Sequence, residues 1–349
     1  MSIFSSPSFD HHELVAATED RKTGLRAIVA IHDTTLGMAM GGCRMYPYAN
    51  DADALEDVLR LSRGMTYKSA LAGLPIGGGK SVIIGDPRRQ KTEPLLEAMG
   101  KFLDTLNGRY ITGEDSGTCV ADMHVIRRQT AFVAGLDEGP AFNGDPAPFT
   151  ALGTVYGIQA ALRHQRGSDS LQGISIAVQG AGAVGRNLIR TMVSQGAKVF
   201  AADTNPQNMA MAEHLGAIPV SSKEILELAV DVLAPCAMGA ILNQQSIPRI
   251  NAAIIAGAAN NQLAELQHGE FLRERGILHA PDFAINAGGI IRMHHQGHGT
   301  TEQSAAHIAR IGDTLTSIFR QSDEQNVSTT RVAEQRAEKV LATGHLCHG

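Results

Sequence analysis

The stretch Gly180-Ala181-Gly182-Ala183-Val184-Gly185 constrains the fold more than any other part of the chain. Taken alone, G-x-G-x-x-G is a weak signal. Here it follows an apolar run at 174–179 that reads as a strand. It opens an amphipathic run at 184–195 that reads as a helix. Asp203 stands 23 positions after Gly180, at the end of a second apolar run, Lys198–Ala202. Strand, glycine turn, helix, strand and acid in that order are the fingerprint of a dinucleotide-binding βαβ unit. Gly180 makes the tight turn, Gly182 admits a pyrophosphate, and Gly185 lets helix and strand pack. The helix N-terminus at Ala183 and Val184 presents N–H groups and the positive end of its dipole to the phosphates. Asp203 would accept hydrogen bonds from the ribose hydroxyls and repel a 2′-phosphate. Thr204 and Asn205 bring no cation, so NAD is expected rather than NADP.

Alternation continues beyond this unit, with a helix over 206–215 and strand-like runs at 231–234 and 252–257. That pace predicts a parallel sheet covered on both faces, an α/β fold. Upstream, 135–148 is rich in Gly, Pro, Asp and Asn, the best candidate for a domain boundary or an active-site loop. A helix with small residues along it follows over 149–164, a candidate spine between domains. The first part reads as strands at 25–32 and 41–45 and a helix capped by Asn50 or Asp51 running to about residue 72. A buried strand at 81–84, a helix at 93–106 and a short strand at 110–112 come next. Helices over 301–321 and 327–342 end the chain, and there is no internal repeat.

Length and composition bound the function. A chain of 349 residues accommodates two domains, and 43% hydrophobic residues supply a sizeable core. A net charge of -5 and 4% aromatics with no Trp argue against a nucleic-acid or anionic-membrane partner. No stretch approaches the ~18 apolar residues that a membrane helix needs. The four cysteines have neither metal-ligand nor redox spacing, and the N-terminal segment lacks the features of a signal peptide. The expectation is a cytoplasmic protein.

Chemistry concentrates between Gly64 and Lys80, where Lys68 and Lys80 stand twelve positions apart. Leu55, Val58, Leu59, Ser62 and Met65 fall near one helix face, and Lys68 lies on or beside it, either snorkelling or functional. Lys80 follows three glycines that read as a turn at the mouth of a strand. If both ammonium groups share a pocket, each disfavours the other's charge, and one can act as a base near neutral pH. Gly79-Lys80-Ser81 also looks like the end of a P-loop. That motif needs glycine at 74, where this chain has Leu74, and Pro75 removes an N–H from the cradle. Gly113-Glu114-Asp115 places two carboxylates past a strand, one of them a candidate proton shuttle; the plain alternative is a helix-start acid. His294 and His298 suggest a metal, but Gly297 breaks the helix and no acidic ligand stands near, so no metal is expected. His345 and His348 are equally weak.

Taken together, these segments resemble the leucine/phenylalanine/valine dehydrogenases, relatives of glutamate dehydrogenase. The likeness spans nearly the whole chain. It rests on Met40-Gly41-Gly42-Cys43-Arg44-Met45, Gly64-Met65-Thr66-Tyr67-Lys68, Gly77-Gly78-Gly79-Lys80, Asn107-Gly108-Arg109-Tyr110-Ile111-Thr112, Glu114-Asp115, Gly180 to Gly185, Ala256-Gly257-Ala258-Ala259-Asn260-Asn261-Gln262 and Asn286-Ala287-Gly288-Gly289. The resemblance implies two domains flanking a cleft. Residues 1–135 plus about 327–349 would bind substrate and build a homo-oligomer, a dimer or an octamer. Residues 136–326 would bind NAD.

It also implies roles. Lys68 would hold the substrate carboxylate, with Gly41 and Gly42 lining its site. Asp115 would take a proton from the substrate amine. Hydride would pass to the nicotinamide, and Lys80 would activate a water to attack the imine left behind. Asn261 would approach the nicotinamide, with Ala234, Cys236, Ala258, Asn260 and Asn286 around the cofactor. Thr150 would stand near both ligands. Met40, Gly113, Ile290 and Met293 would shape the side-chain pocket, and Met65 would be a further substrate-binding residue. Gly113 is roomier than the alanine of leucine-type enzymes, whereas Ile290 and Met293 are bulkier than their valines. A branched-chain substrate is slightly preferred and an aromatic one is the alternative. A reaction-dead NAD-binding homologue and a 2-hydroxy-acid dehydrogenase are the other readings.

Overall fold

The computed structural model describes residues 3–136, 145–237, 239–295 and 299–344. They fall into two compact units. One is formed by 3–136, Asp145 and 339–344, the other by 146–237, 239–295 and 299–338.

The first unit carries β1 (Leu14–Asp20), β2 (Leu25–Asp33), β3 (Ala39–Tyr46), α1 (Asp51–Leu71), β4 (Gly77–Ile84), α2 (Glu93–Asp104), β5 (Tyr110–Glu114) and α3 (Val120–Arg127). Its sheet runs β1-β2-β4-β3-β5, with β3 parallel to both β4 and β5 and β2 antiparallel to β1 and β4. Period-two alternation splits its apolar residues between two layers. Ile28, Ala30 and Val82 pack against Ala54, Val58 and Leu59 of α1. Val29, Ile31, Cys43, Met45 and Ile83 pack with Leu95, Leu96 and Met99 of α2 and Met123 and Ile126 of α3. Each large side chain so buried contributes ~1.5–3 kcal/mol. α1 starts where Asn50, in extended backbone, accepts the N–H of Asp53.

The three glycines before Lys80 are not a turn. Gly77, Gly78 and Gly79 lie inside β4. A Cβ on Gly78 would stand 2.0 Å from Thr66 Oγ1 and 2.2 Å from Thr66 N, and one on Gly79 would stand 2.6 Å from the Tyr110 ring. They are glycines because α1 and Tyr110 press directly on the strand. β1 and α3 were not expected from sequence. β1 is half-exposed and ends Thr-Glu-Asp, so it lacks a buried strand's apolar run. The run at 252–257 yields only a two-residue strand.

The second unit contains α4 (Ala147–Arg166), β6 (Ser175–Gln179), α5 (Ala183–Ser194), β7 (Lys198–Ala202), α6 (Pro206–His214), β8 (Ile218–Pro219), β9 (Val232–Pro235), β10 (Ile254–Ile255), α7 (His268–Glu274), β11 (Leu278–His279), α8 (Asp282–Ile285), α9 (Gly288–His295), α10 (Thr301–Gln325) and most of α11 (Thr329–Thr343). All six strands are parallel, in the order β8-β7-β6-β9-β10-β11. Numbered from β6, this is the 3-2-1-4-5-6 order of a doubly wound dinucleotide-binding sheet. The small residues of α4 have a packing reason. A Cβ on Gly153 would stand 2.7 Å from Ile311 of α10, and one on Gly157 2.9 Å from Leu315.

Of the Gly/Pro-rich stretch at 135–148, positions 137–144 lie outside the described residues, as do His298, His345 and His348. Among the described residues, no helix is long and apolar enough to cross a membrane.

Candidate active site

Because β4 alternates, Gly78, Lys80 and Val82 face α1 while Gly79, Ser81 and Ile83 face the opposite layer. Lys80 is 4% exposed. Its Nζ stands 2.9 Å from Asp115 Oδ2, in the turn that leaves β5. Arg44 alternates with the buried Cys43 and Met45 on β3, and its Nε donates to the same oxygen at 3.1 Å. The Arg44 guanidinium also donates to Asp57 of α1 at 2.9 Å, and Tyr48 Oη donates to that Asp57 oxygen at 2.6 Å. Lys80, Arg44, Asp115 and Asp57 thus form one connected cluster of ionisable side chains. Removing one member of such a cluster typically costs ~3–5 kcal/mol, because an uncompensated charge stays behind.

The turn itself is pinned. Thr118 Oγ1 donates to Cys43 O at 2.9 Å and accepts the Asp115 N–H at 3.0 Å, and Met45 N donates to Ser116 O at 2.9 Å. Burial alone would raise the Asp115 carboxyl, but Lys80 and Arg44 outweigh it and hold the group well below the usual carboxylate range. Its neighbour Glu114 moves the other way. Burial, then the charges of Asp145 and Asp115, push it up to about 7.

The other expected substrate residues of this unit lie on β3, β5 and α1. Met40, Gly41 and Gly42 lie on β3, and Gly42 pairs with Gly113 of β5. A Cβ on Gly42 would stand 2.7 Å from Asp115 Cβ and 2.6 Å from Glu114 O. One on Gly41 would meet Gly79 O at 1.9 Å and Met65 Cγ at 3.4 Å. The Gly41 carbonyl accepts the Tyr110 hydroxyl at 2.7 Å. Lys68 belongs to an unbroken buried run, residues 65–70 of α1, and at 8% exposure it does not snorkel. Lys80 meets the Asp115 carboxylate in the structure.

In the second unit, β6 ends on Gly180 at φ +98°, where a Cβ would meet Ala237 N at 2.8 Å. A Cβ on Gly185 would stand 2.0 Å from Gly180 O, whereas Gly182 has nothing within 4 Å. Gly182 is the N-cap of α5 and brings no side-chain cap to the first N–H groups of the helix, at Ala183 and Val184. Asp203 Oδ2 accepts the Ala181 N–H at 2.8 Å and its Oδ1 the Asn205 N–H at 2.7 Å, with exposed Thr204 between. Ala234 and Cys236 lie at the end of β9, beside Gly180, at the switch point of strand order. Asn286 Nδ2 donates to Asn260 Oδ1 at 2.8 Å and to Ala258 O at 3.1 Å. Asn286 Oδ1 is buried with no hydrogen-bond partner, an acceptor suited to a carboxamide N–H. Asn261 adopts φ +50° and donates its N–H to Asp282. Thr150 on α4 is packed against the start of α9, since a Cβ on Gly289 would stand 2.6 Å from its Oγ1. Ile290 (7% exposed) and Met293 follow on the same helix.

Two family profiles cover this chain. That of the Glu/Leu/Phe/Val dehydrogenase dimerisation domain matches residues 11–132, and that of the glutamate/leucine/phenylalanine/valine dehydrogenases matches 145–208 and 202–339. The chain belongs to the Glu/Leu/Phe/Val dehydrogenase family. It is 45% identical over 345 residues to a leucine dehydrogenase of Geobacillus stearothermophilus, covering 98% of this chain and 94% of the relative. It is 43% identical to the crystal structure of L-tryptophan dehydrogenase from Nostoc punctiforme, with a TM-score of 0.76 over 96% of this chain and 97% of that one. The hetero-hexameric glutamate dehydrogenase of Thermus thermophilus, 22% identical with a TM-score of 0.79 over 96% of this chain and 89% of that one, shares the fold.

For this dehydrogenase, sequence reasoning assigned no role to Arg44, Asp57 or Tyr48. A signal existed, since a charged residue in the middle of a buried strand demands a partner. His294 and His295 end α9, and His295 Nε2 stands 3.0 Å from His307 Nδ1 of α10. Among the described residues, no group of three or more His, Cys, Asp or Glu could hold a metal ion.

Proposed function

We propose that this dehydrogenase catalyses the reversible oxidative deamination of an apolar L-amino acid to its 2-oxo acid and ammonia, with NAD as cofactor. The single observation that carries the reading is the Lys80–Asp115 pair at 2.9 Å, enclosed beside Gly41 and Gly42, in a chain 45% identical to a leucine dehydrogenase.

The roles follow from the side chains. Lys68 holds the substrate carboxylate as a cation. Asp115 takes a proton from the substrate ammonium, which frees the nitrogen lone pair to drive hydride departure from the α-carbon. NAD, when bound, supplies the hydride acceptor, and Gly182 and the α5 N-terminus hold its pyrophosphate. Lys80 draws a proton from the water that adds to the imine carbon, and ammonia leaves with proton help from Asp115. Each turnover consumes one ammonium zwitterion, one NAD and one water. It yields the 2-oxo acid, an ammonium ion, NADH and one proton.

Branched-chain substrates are preferred, on the strength of Ile290 and Met293. Gly113 and the likeness to the L-tryptophan dehydrogenase favour an aromatic side chain as the second reading. A methylene or two in such a pocket is worth only ~1–3 kcal/mol. The first unit binds substrate and joins copies of the chain, a reading supported by the dimerisation-domain profile over 11–132. Cys43, Cys119 and Cys236 are free thiols, as suits a cytoplasmic enzyme. A panel of L-amino acids with NAD and with NADP, ranked by kcat/KM, tests the proposal. NADH formation dependent on an apolar L-amino acid, reversed by ammonia plus 2-oxo acid, is expected. Turnover of 2-hydroxy acids instead would overturn it.

A further inference from the structure

Asp203, with no cation beside it at Thr204 or Asn205, points to NAD. The structure brings a cation from another element. Arg186, at the end of the first turn of α5, reaches toward α6. Its Nη1 donates to Asn208 Oδ1 at 3.0 Å and to Ala181 O at 3.4 Å. Asn208 Nδ2 donates in turn to Asp203 Oδ2 at 3.2 Å. These contacts fix the amide, its oxygen toward the cation and its nitrogen toward the anion. One neutral side chain thus bridges an arginine and the acid that follows β7.

The bridge leaves both charges available. The oxygens that Arg186 meets belong to an amide and a backbone carbonyl. The donors that Asp203 meets are the N–H groups of Ala181 and Asn205 and the Asn208 amide. Arg186 and Asp203 are both half-buried, whereas Arg190, one turn further along α5, is exposed and donates to Asn187. In a dinucleotide-binding sheet an acid at this place takes the ribose 2′-hydroxyl, and a nearby arginine accommodates a 2′-phosphate. Here a side chain of each kind stands at the same end of the site.

We propose that Arg186 is a second specificity-determining residue of the cofactor site, a guanidinium that receives the 2′-phosphate of NADP in opposition to Asp203. Asn208 is a positioning residue, which keeps the cation from pairing with the acid. Discrimination between NAD and NADP is then a balance of two charges and not an exclusion by one. The inference rests on the proposed use of NAD and deepens it.

Calorimetry on the full chain with 5′-AMP and with adenosine 2′,5′-bisphosphate reads this balance without turnover. The measured quantity is the affinity for the bisphosphate relative to 5′-AMP. Arg186→Ala should lower that ratio roughly tenfold to a hundredfold, the worth of a hydrogen bond to a charged group, and Arg186→Lys should fall between. Asp203→Asn should raise the ratio, and the gain should vanish in the double variant with Arg186→Ala. A ratio left unchanged by Arg186→Ala would reduce the arginine to a brace between α5 and α6 and overturn the role. A gain in Asp203→Asn that survives the loss of Arg186 would overturn it as well. Binding of NAD to the wild type is measured first. Its absence would instead remove the NAD reading, so the two failures are distinguishable.

Discussion

Both units are built around glycines, and they use them for opposite ends. In β4 of the first unit the glycines are crowded: added side chains at 78 and 79 would collide with α1 and with Tyr110. Gly78 lets α1 close over the face of β4 that carries Lys80, and Gly79 lets the Tyr110 ring pack on the other face, so the proposed chemistry there resides in side chains. In the second unit Gly182 is open, with nothing within 4 Å of an added Cβ, and the proposed binding groups are backbone N–H donors at the head of α5. The same residue type makes a crowded, charged site in one unit and an open helix start in the other. Glycine content therefore says little until the neighbours are known.

Four outcomes break or sharpen this contrast. The largest is expected at Lys80, whose removal takes the base from the first unit alone. Lys80→Ala should lower kcat by roughly a thousandfold or more, in the range of general acid–base losses. NAD affinity by calorimetry should hold; retained turnover would refute the assigned base. Next comes Gly78→Ala, which forces Thr66 and its backbone away from β4. Overpacking of this kind costs ~3 kcal/mol or more, read as a lower urea midpoint. An unchanged midpoint would mean that the crowding is not structural.

A third test concerns pH. Burial, then His32, pushes His12 down to about 4, and burial does the same to His279 in the second unit. An unfolded histidine takes up its proton near ~6.5. Between that value and about 4 the unfolded chain binds a proton that the folded chain refuses. Stability is thus full above pH ~6.5 and falls as pH drops, by up to ~3 kcal/mol for His12. Unfolding midpoints at pH 7.5 and 4.5 should separate, and His12→Asn should narrow the gap. The smallest effect is expected at Gly182→Ala. Its methyl enters space where a pyrophosphate belongs, so NAD should bind about tenfold more weakly, ~1.4 kcal/mol. Thermal stability should be unchanged; a drop in melting temperature would place this glycine with the crowded ones.

Much of this was legible from residues. The fingerprint from Gly180 to Asp203 carried its own confirmation, because strand, turn, helix and acid follow one another within thirty residues. All six strands of that sheet are indeed parallel. Lys80 and Asp115 were marked as chemically suspect, but nothing local reveals that Arg44 and Asp57 complete their cluster. Those contacts join β3, α1 and the turn after β5, positions that only the sheet register brings together. The glycines at 77–79 misled for a related reason. A turn and a strand pressed by a helix demand the same absence of Cβ, and only the tertiary neighbours tell them apart.

One helix ties several of these threads. Asp57, which holds Arg44, and Lys68 both lie on α1, eleven residues apart. At ~3.6 residues per turn and ~1.5 Å per residue, they sit on one stripe about 16 Å apart. The segment between them acts as a ruler. A single inserted or deleted residue there would swing Lys68 about 100° around the axis and leave the ion cluster where it is. Length changes should accordingly be tolerated in the surface connections of this unit and ruinous between residues 58 and 67.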